Sequence, residues 1–241
     1  MAAELLIYAL IAAGLIFWLR SILGTRSDDD TGAHTSRLEL SEDGKIVGLN
    51  AGEAERGEDK RGLIEELAES QKANMGIDGE DAKAGLHTVV DADRDFDVYM
   101  FLNAAQDAFV FAVESFADGD RETLEDLLSP DVFAAFDGAI SEREKAGETM
   151  QTEIQSIQKS EIIEAHMEGK KAFITVRFWA DEVTVTKDED GNIVYGHPDK
   201  VTQMRDVWTF CRDVKSRDPR WLVVETREDG AGDNETIPNT H

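Results

Sequence analysis

The chain opens on its most apolar stretch. Leu5 to Leu19 reads LLIYALIAAGLIFWL without a single charge, and Ser21, Ile22 and Leu23 prolong it once Arg20 turns its cation towards water. At about 1.5 Å per residue, roughly nineteen residues reach close to 28 Å, enough to cross a bilayer core. Tyr8 and Trp18 stand near the two ends, where amphipathic rings favour the interface. Residues 1–23 are therefore expected to be a transmembrane anchor built on Leu5, Leu6, Ile7, Tyr8, Leu10, Ile11, Leu15, Ile16, Phe17, Trp18 and Leu19. A buried core helix or the apolar part of a signal peptide is the alternative. A signal peptide fits poorly, because no Lys or Arg precedes the run and no small-x-small cleavage pattern follows it. Arg20 and Arg26 on the C-terminal flank predict a single pass with everything after residue 24 on the cytoplasmic side.

Periodicity then disappears. Residues 24–95 hold ten glycines, no proline, nine Lys and Arg, and nineteen Asp and Glu. So polar and acidic a segment is expected to remain an unfolded spacer, since it has little apolar surface to offset the entropy of ordering. Two islands interrupt it. Leu38, Leu40, Ile46, Val47 and Leu49 around Asp43-Gly44 read as a small hairpin or as nothing at all. Leu63, Ile64, Leu67 and Ala68 lie at helical spacing, with Glu65, Glu66 and Glu69 opposite, which suggests a short amphipathic helix within 61–75. It is read as a transient helix, with docking into a partner groove as the sharper alternative.

From Phe96 the pattern becomes regular. Phe96, Tyr99, Met100, Ala105, Phe109, Ala112, Val113 and Phe116 recur at helical intervals until Asp118-Gly119 stops them. A shorter helix follows over Arg121 to Leu128. Ser129-Pro130, a cap followed by proline, opens a third helix that runs to Ala146-Gly147. The period then shifts to two. Strands are expected over 149–160, 161–167, 171–185, 193–195, 201–214 and 220–226, parted by turn residues such as Glu168-Gly169. Helices followed by a run of strands predict an α+β domain over 96–228, helices packed on a curved antiparallel sheet that forms a cone. Residues 229–241 are expected to be a polar tail.

Charge narrows the partners. The 241 residues carry a formal −26, which argues against nucleic acid and against bare anionic lipid as a target of the whole surface. A single cysteine, Cys211, allows no intrachain disulfide and suits a reducing compartment. No phosphate-binding glycine loop, H-E-x-x-H, C-x-x-C or G-x-S-x-G occurs, so no catalytic residue, cofactor or metal is assigned. Of the five histidines only His166 falls in an expected strand. With Asp206 it would make a general-base pair inside a cone, but one His and one Asp without a spacing rule are far more often surface residues. The aromatics are read first as core. Among them Phe109, Phe173, Trp179, Trp208 and Phe210 are the candidates to line a pocket or partner groove.

The strings FLNAAQDAFVFAVESFADGDRETLEDLLSPDVFAAFDGAISEREKAGETM, EIIEAHMEGKKAFITVRF and DVWTFCRDVKSRDPRW, with the leading FWLRSILGTR, resemble the TimA family of alphaproteobacteria. These proteins are bacterial relatives of the Tim-forty-four-like domain of the mitochondrial inner-membrane import-motor tether. The likeness covers about 96–226 and the anchor. It implies an NTF2-like or cystatin-like cone, no enzyme activity, and an adaptor role at the inner membrane, with chaperones or insertion machinery as partners. One departure bears on lipid. Residues 119–148 hold Arg121, Arg143 and Lys145 against nine carboxylates, a sign that anionic headgroups repel. The expectation is thus a non-enzymatic adaptor on the cytoplasmic face of a bacterial inner membrane, linked to translocation, insertion or assembly of membrane complexes. A lipid- or small-molecule-binding cone is the alternative. Ribosome association would need a basic face that this chain lacks.

Overall fold

The computed structural model describes residues 51–69 and 74–229, with side chains described from Lys60 onward. The expected anchor, the 38–49 island and the tail beyond Asp229 lie outside the described residues. No described helix is long and apolar enough to cross a membrane.

Among the described residues five helices and six strands follow one another: α1 (Ala51–Glu69), β1 (Met75–Ile77), α2 (Glu80–Ala92), α3 (Val98–Asp118), α4 (Arg121–Leu127), α5 (Pro130–Lys145), β2 (Thr149–Glu168), β3 (Lys171–Lys187), β4 (Ile193–Gly196), β5 (Thr202–Asp213) and β6 (Leu222–Glu228). Local chemistry sets the helix ends. Asp97 caps α3 by accepting from the amides of Tyr99 and Met100 at 3.0 and 3.1 Å. Gly119, at φ 73°, ends α3 in the left-handed region that the expected stop required. Asp120 caps α4, while Ser129 with Pro130 opens α5 as expected.

The sheet runs β1-β2-β3-β5-β6, with β4 pairing only the far end of β3. Two features correct the expectation. The stretch 149–168 is one strand, because nothing between Ser160 and Glu161 supplies a turn. Irregularities at Ile154/Ser156, Ile157/Lys159 and Ile162/Glu164 absorb the breaks in alternation and bend the strand instead. The sheet is also mixed, not wholly antiparallel, since β1 pairs in parallel with β2 through Met75–Ser160 and Ile77–Ile162.

Within its described residues, 51–69 and 74–95, the expected spacer is corrected as well. α1, β1 and α2 come from within 24–95, and Ile64, Leu67, Ala82, Leu86, Val89 and Val90 are buried in the domain's apolar cluster. The α2 contact explains how so polar a segment folds. A Cβ on Gly85 would lie 1.7 Å from the carbonyl oxygen of Ala165, so α2 meets β2 backbone to backbone. Small residues do the packing there, and they do not raise local hydropathy.

Candidate functional site

The inner face of the sheet is closed by its own side chains. Ala172, Ile174, Val176, Phe178 and Ala180 of β3 point inward and are fully buried under α3. Phe109 of α3 stacks on Phe178 with centroids 4.5 Å apart, and the Trp208 ring lies 4.9 Å from Phe109. Phe210 joins them at 6.4 Å from Phe178 and passes the contact to Phe101 at 5.7 Å. Such pairs add about 0.5–1.5 kcal/mol each beyond the area they bury. The space between α3 and this face of the sheet is filled.

The five candidate aromatics are therefore not one lining. Phe109, Trp208 and Phe210 meet in this core, whereas Phe173 and Trp179 sit half-buried on the opposite face of the sheet. Strand alternation separates them, because odd and even positions of β3 face opposite ways. On that outer face Phe173 stacks with His166 at 5.1 Å. Trp179 lies under the cations of Lys159 and Arg177, at 5.3 and 5.5 Å. Arg177 in turn reaches Asp78 at 3.2 Å and Asp229 at 3.4 Å.

The same alternation excludes the His166–Asp206 pair. His166 is on the outer face between Glu164 and Glu168, at 3.3 and 3.6 Å. Asp206 pairs in register with Phe178 and shares the inner face. Burial pushes the Asp206 carboxyl up to about 6; the Trp208 Nε1–H, 3.4 Å away, opposes this, and Glu228 and Glu182 add to it. Glu182 is likewise raised, by burial. No group of three metal-ligating side chains suited to an ion occurs among the described residues.

At the other end, Arg143 ties α5 to α3. It donates to the carbonyls of Phe116 and Ala117 at 2.7 and 2.9 Å, satisfying the end of α3, and lies over the Phe116 ring at 5.1 Å. A shallow groove of about 470 Å³ opens beside it, lined by Asp118, Glu144, Glu148, Met150 and Lys187. Beyond β3, the β4 hairpin exposes Ile193, Val194 and Tyr195 together with Val201.

The most built polar arrangement joins α1 to the domain, and the sequence pattern did not reveal it. Lys60 pairs with Asp97, and one Arg61 nitrogen holds both oxygens of Asp91 at 2.6 Å. Glu65 pairs with Lys83 and meets His87 Nε2 at 3.2 Å. The hydrogen bond from Lys83 holds the Glu65 carboxyl below its ordinary range and, in return, raises Lys83. Burial opposes the charged form of Asp97, but Lys60 and the amides of Met100 and Tyr99 together keep it low. Ile64 and Leu67, fully buried, contribute about 1.5–3 kcal/mol each. The exposed pairs add about 0–1 kcal/mol each. The early signal was the helical spacing of Leu63, Ile64, Leu67 and Ala68 opposite Glu65, Glu66 and Glu69, and α1 carries that spacing as far as Glu69.

A profile of the Tim44-like domain matches residues 82–228. The "Probable mitochondrial import inner membrane translocase subunit tin-44" of Caenorhabditis elegans is 26% identical over 137 residues, covering 55% of this chain and 32% of that protein. The "Mitochondrial import inner membrane translocase subunit TIM44" of Mus musculus is 26% identical over 143 residues, covering 58% and 32%. The chain thus spans about a third of the length of the curated relatives it matches. Among solved structures, the intermembrane space region of the chloroplast protein ARC6 covers 52% of this chain and 94% of its own at 13% identity. Its TM-score is 0.37. With the helices, the mixed sheet and the matched span in agreement, the chain belongs to the Tim44-like domain family.

Proposed function

We propose that the protein is a membrane-tethered, non-enzymatic adaptor on the cytoplasmic face of a bacterial inner membrane, working with machinery that moves, inserts or assembles proteins. The observation that carries this reading is the Tim44-like match over 82–228, whose curated relatives are named as import translocase subunits of an inner membrane. The uncharged run from Leu5 to Leu19 supports the tether, and Arg20 and Arg26 support the orientation. A filled aromatic core supports surface binding over an enclosed ligand, and so disfavours the lipid- or metabolite-binding cone. Tethering raises local concentration near membrane clients without a new contact.

Fractionation of full-length protein and of a 24–241 form, each expressed in bacterial cells, tests the first half. The full chain is expected in carbonate-washed membranes and the shorter form in the soluble fraction; equal recovery of both in the soluble fraction would reject the tether. Proximity labelling from the domain tests the second half. Enrichment of translocation, insertion or chaperone proteins over a 1–50 control is expected, and an unenriched profile would reject the adaptor role.

A further inference from the structure

α1 sits on the matched domain much as a bound helix would. The matched span begins at residue 82, so α1 and β1 lie outside it, while the surface α1 covers, on α2 and the start of α3, lies inside. We propose that this surface is a groove for an amphipathic helix of a partner protein, and that α1 is its resident, displaceable occupant.

The floor is apolar: α1 packs on α2 and α3, and Leu86, Val90, Val98 and Leu102 of those helices belong to the same buried cluster as Ile64 and Leu67. The rim carries signed charge: Asp91 and Asp97 receive Arg61 and Lys60, and Lys83 with His87 receives Glu65. Two apolar anchors at i and i+3, two cations one turn earlier and an acid between the anchors therefore define what fits. α1 supplies that pattern but leaves one polar atom of the rim unmet. His87 Nδ1 is buried with no hydrogen-bond partner among the described residues, a loss that a better-fitting helix could repair. A cation-bearing partner is favoured further by the chain's −26 charge. Among its described residues α1 is held by two fully buried side chains, by the partly buried Leu63 and by ion pairs, of which Lys60–Asp97 is the more buried, whereas α3 buries seven residues. Local release of α1 thus leaves the rest of the domain intact.

The probe is a fluorescent synthetic peptide of residues 58–70, titrated by anisotropy into full-length chain kept in mild detergent. Lys60→Glu with Arg61→Glu loosens α1 from surface positions without touching the core, and is expected to bind the peptide at least tenfold more tightly than the unaltered chain. A peptide carrying Ile64→Glu and Leu67→Glu is expected not to bind. Asp91→Lys in the loosened chain is expected to weaken binding at least threefold. Equal binding of the two peptides, or no gain in the loosened chain, would overturn the proposal. A full chain with Ile64→Glu and Leu67→Glu is expected to keep one cooperative unfolding transition. Its loss would make α1 part of the core and overturn the proposal too.

Discussion

α1 and the β3 core both bury leucine-sized and larger side chains, yet they are held in different ways. β3 is bonded on both sides along most of its length and stacks Phe178 beneath Phe109, so removing it means dissolving the sheet. α1 is lashed to α2 and α3 by Lys60, Arg61 and Glu65 around Ile64 and Leu67. The contrast teaches that burial alone does not measure how firmly an element belongs to a fold. What counts is whether its neighbours must also be lost when it leaves.

The largest expected effect tests the core half of that contrast. Phe178→Ala should cost about 3–5 kcal/mol in urea unfolding, because the cavity opens beneath a stacked ring that cannot collapse. The same truncation at Leu67 should cost less, since the loss saturates at the free energy of releasing α1. A full core penalty at Leu67, with α1 still closed, would erase the distinction. Gly85→Ala comes next, at about 1–3 kcal/mol, because the new methyl meets the Ala165 carbonyl and must push α2 from β2. A thermal midpoint unchanged within a degree would show that α2 accommodates it.

Titration separates the two regions by sign. The Asp206 carboxyl, raised to about 6 by burial, binds its proton more tightly in the folded chain than in the unfolded one. Stability from this group is complete at and below about pH 4 and is lost as pH rises through about 6. Asp206→Asn should therefore gain up to about 3 kcal/mol at pH 7.5 and flatten the pH dependence over that window. A loss at pH 7.5 would mean that the carboxylate is needed charged. α1 behaves oppositely. Glu65 and Asp97 are held below their ordinary range, so their contribution is present above about pH 4 and fades as pH falls further. The smallest effect expected is for Arg143→Met, about 1–2 kcal/mol, from releasing the terminal carbonyls of α3. A neutral result in chemical unfolding would show that water replaces the guanidinium there.

The sequence made the long helix, its Gly119 stop, the Ser129-Pro130 start and the two-sided alternation of β3 legible, because each is written in local residue types with a fixed period. It showed the helical spacing of Leu63 to Ala68 within α1 but concealed the docking of that helix, and β1 and α2, for a physical reason. Gly85 and Ala82 pack by close approach, and Lys60, Arg61 and Glu65 are functional in the fold through partners more than twenty residues away, apart from the nearer Lys83. Composition treats all of these as spacer. The aromatic set failed as a single site because Trp179 and Trp208 are equally apolar on paper, while only their parity on the strands decides which face each joins. We propose that Phe173 and Trp179 on the outer face contribute to a partner surface: their substitution is expected to lower enrichment in the proximity-labelling comparison, and unchanged enrichment would exclude them.

Native-state hydrogen exchange on the full chain tests the central contrast most directly. Amides of residues 60–69 should exchange through a local opening that is insensitive to low urea, while those of α3 and β3 exchange only with global unfolding and with its full urea dependence. Matching protection and matching urea dependence in the two regions would make α1 an integral part of the core and contradict the account.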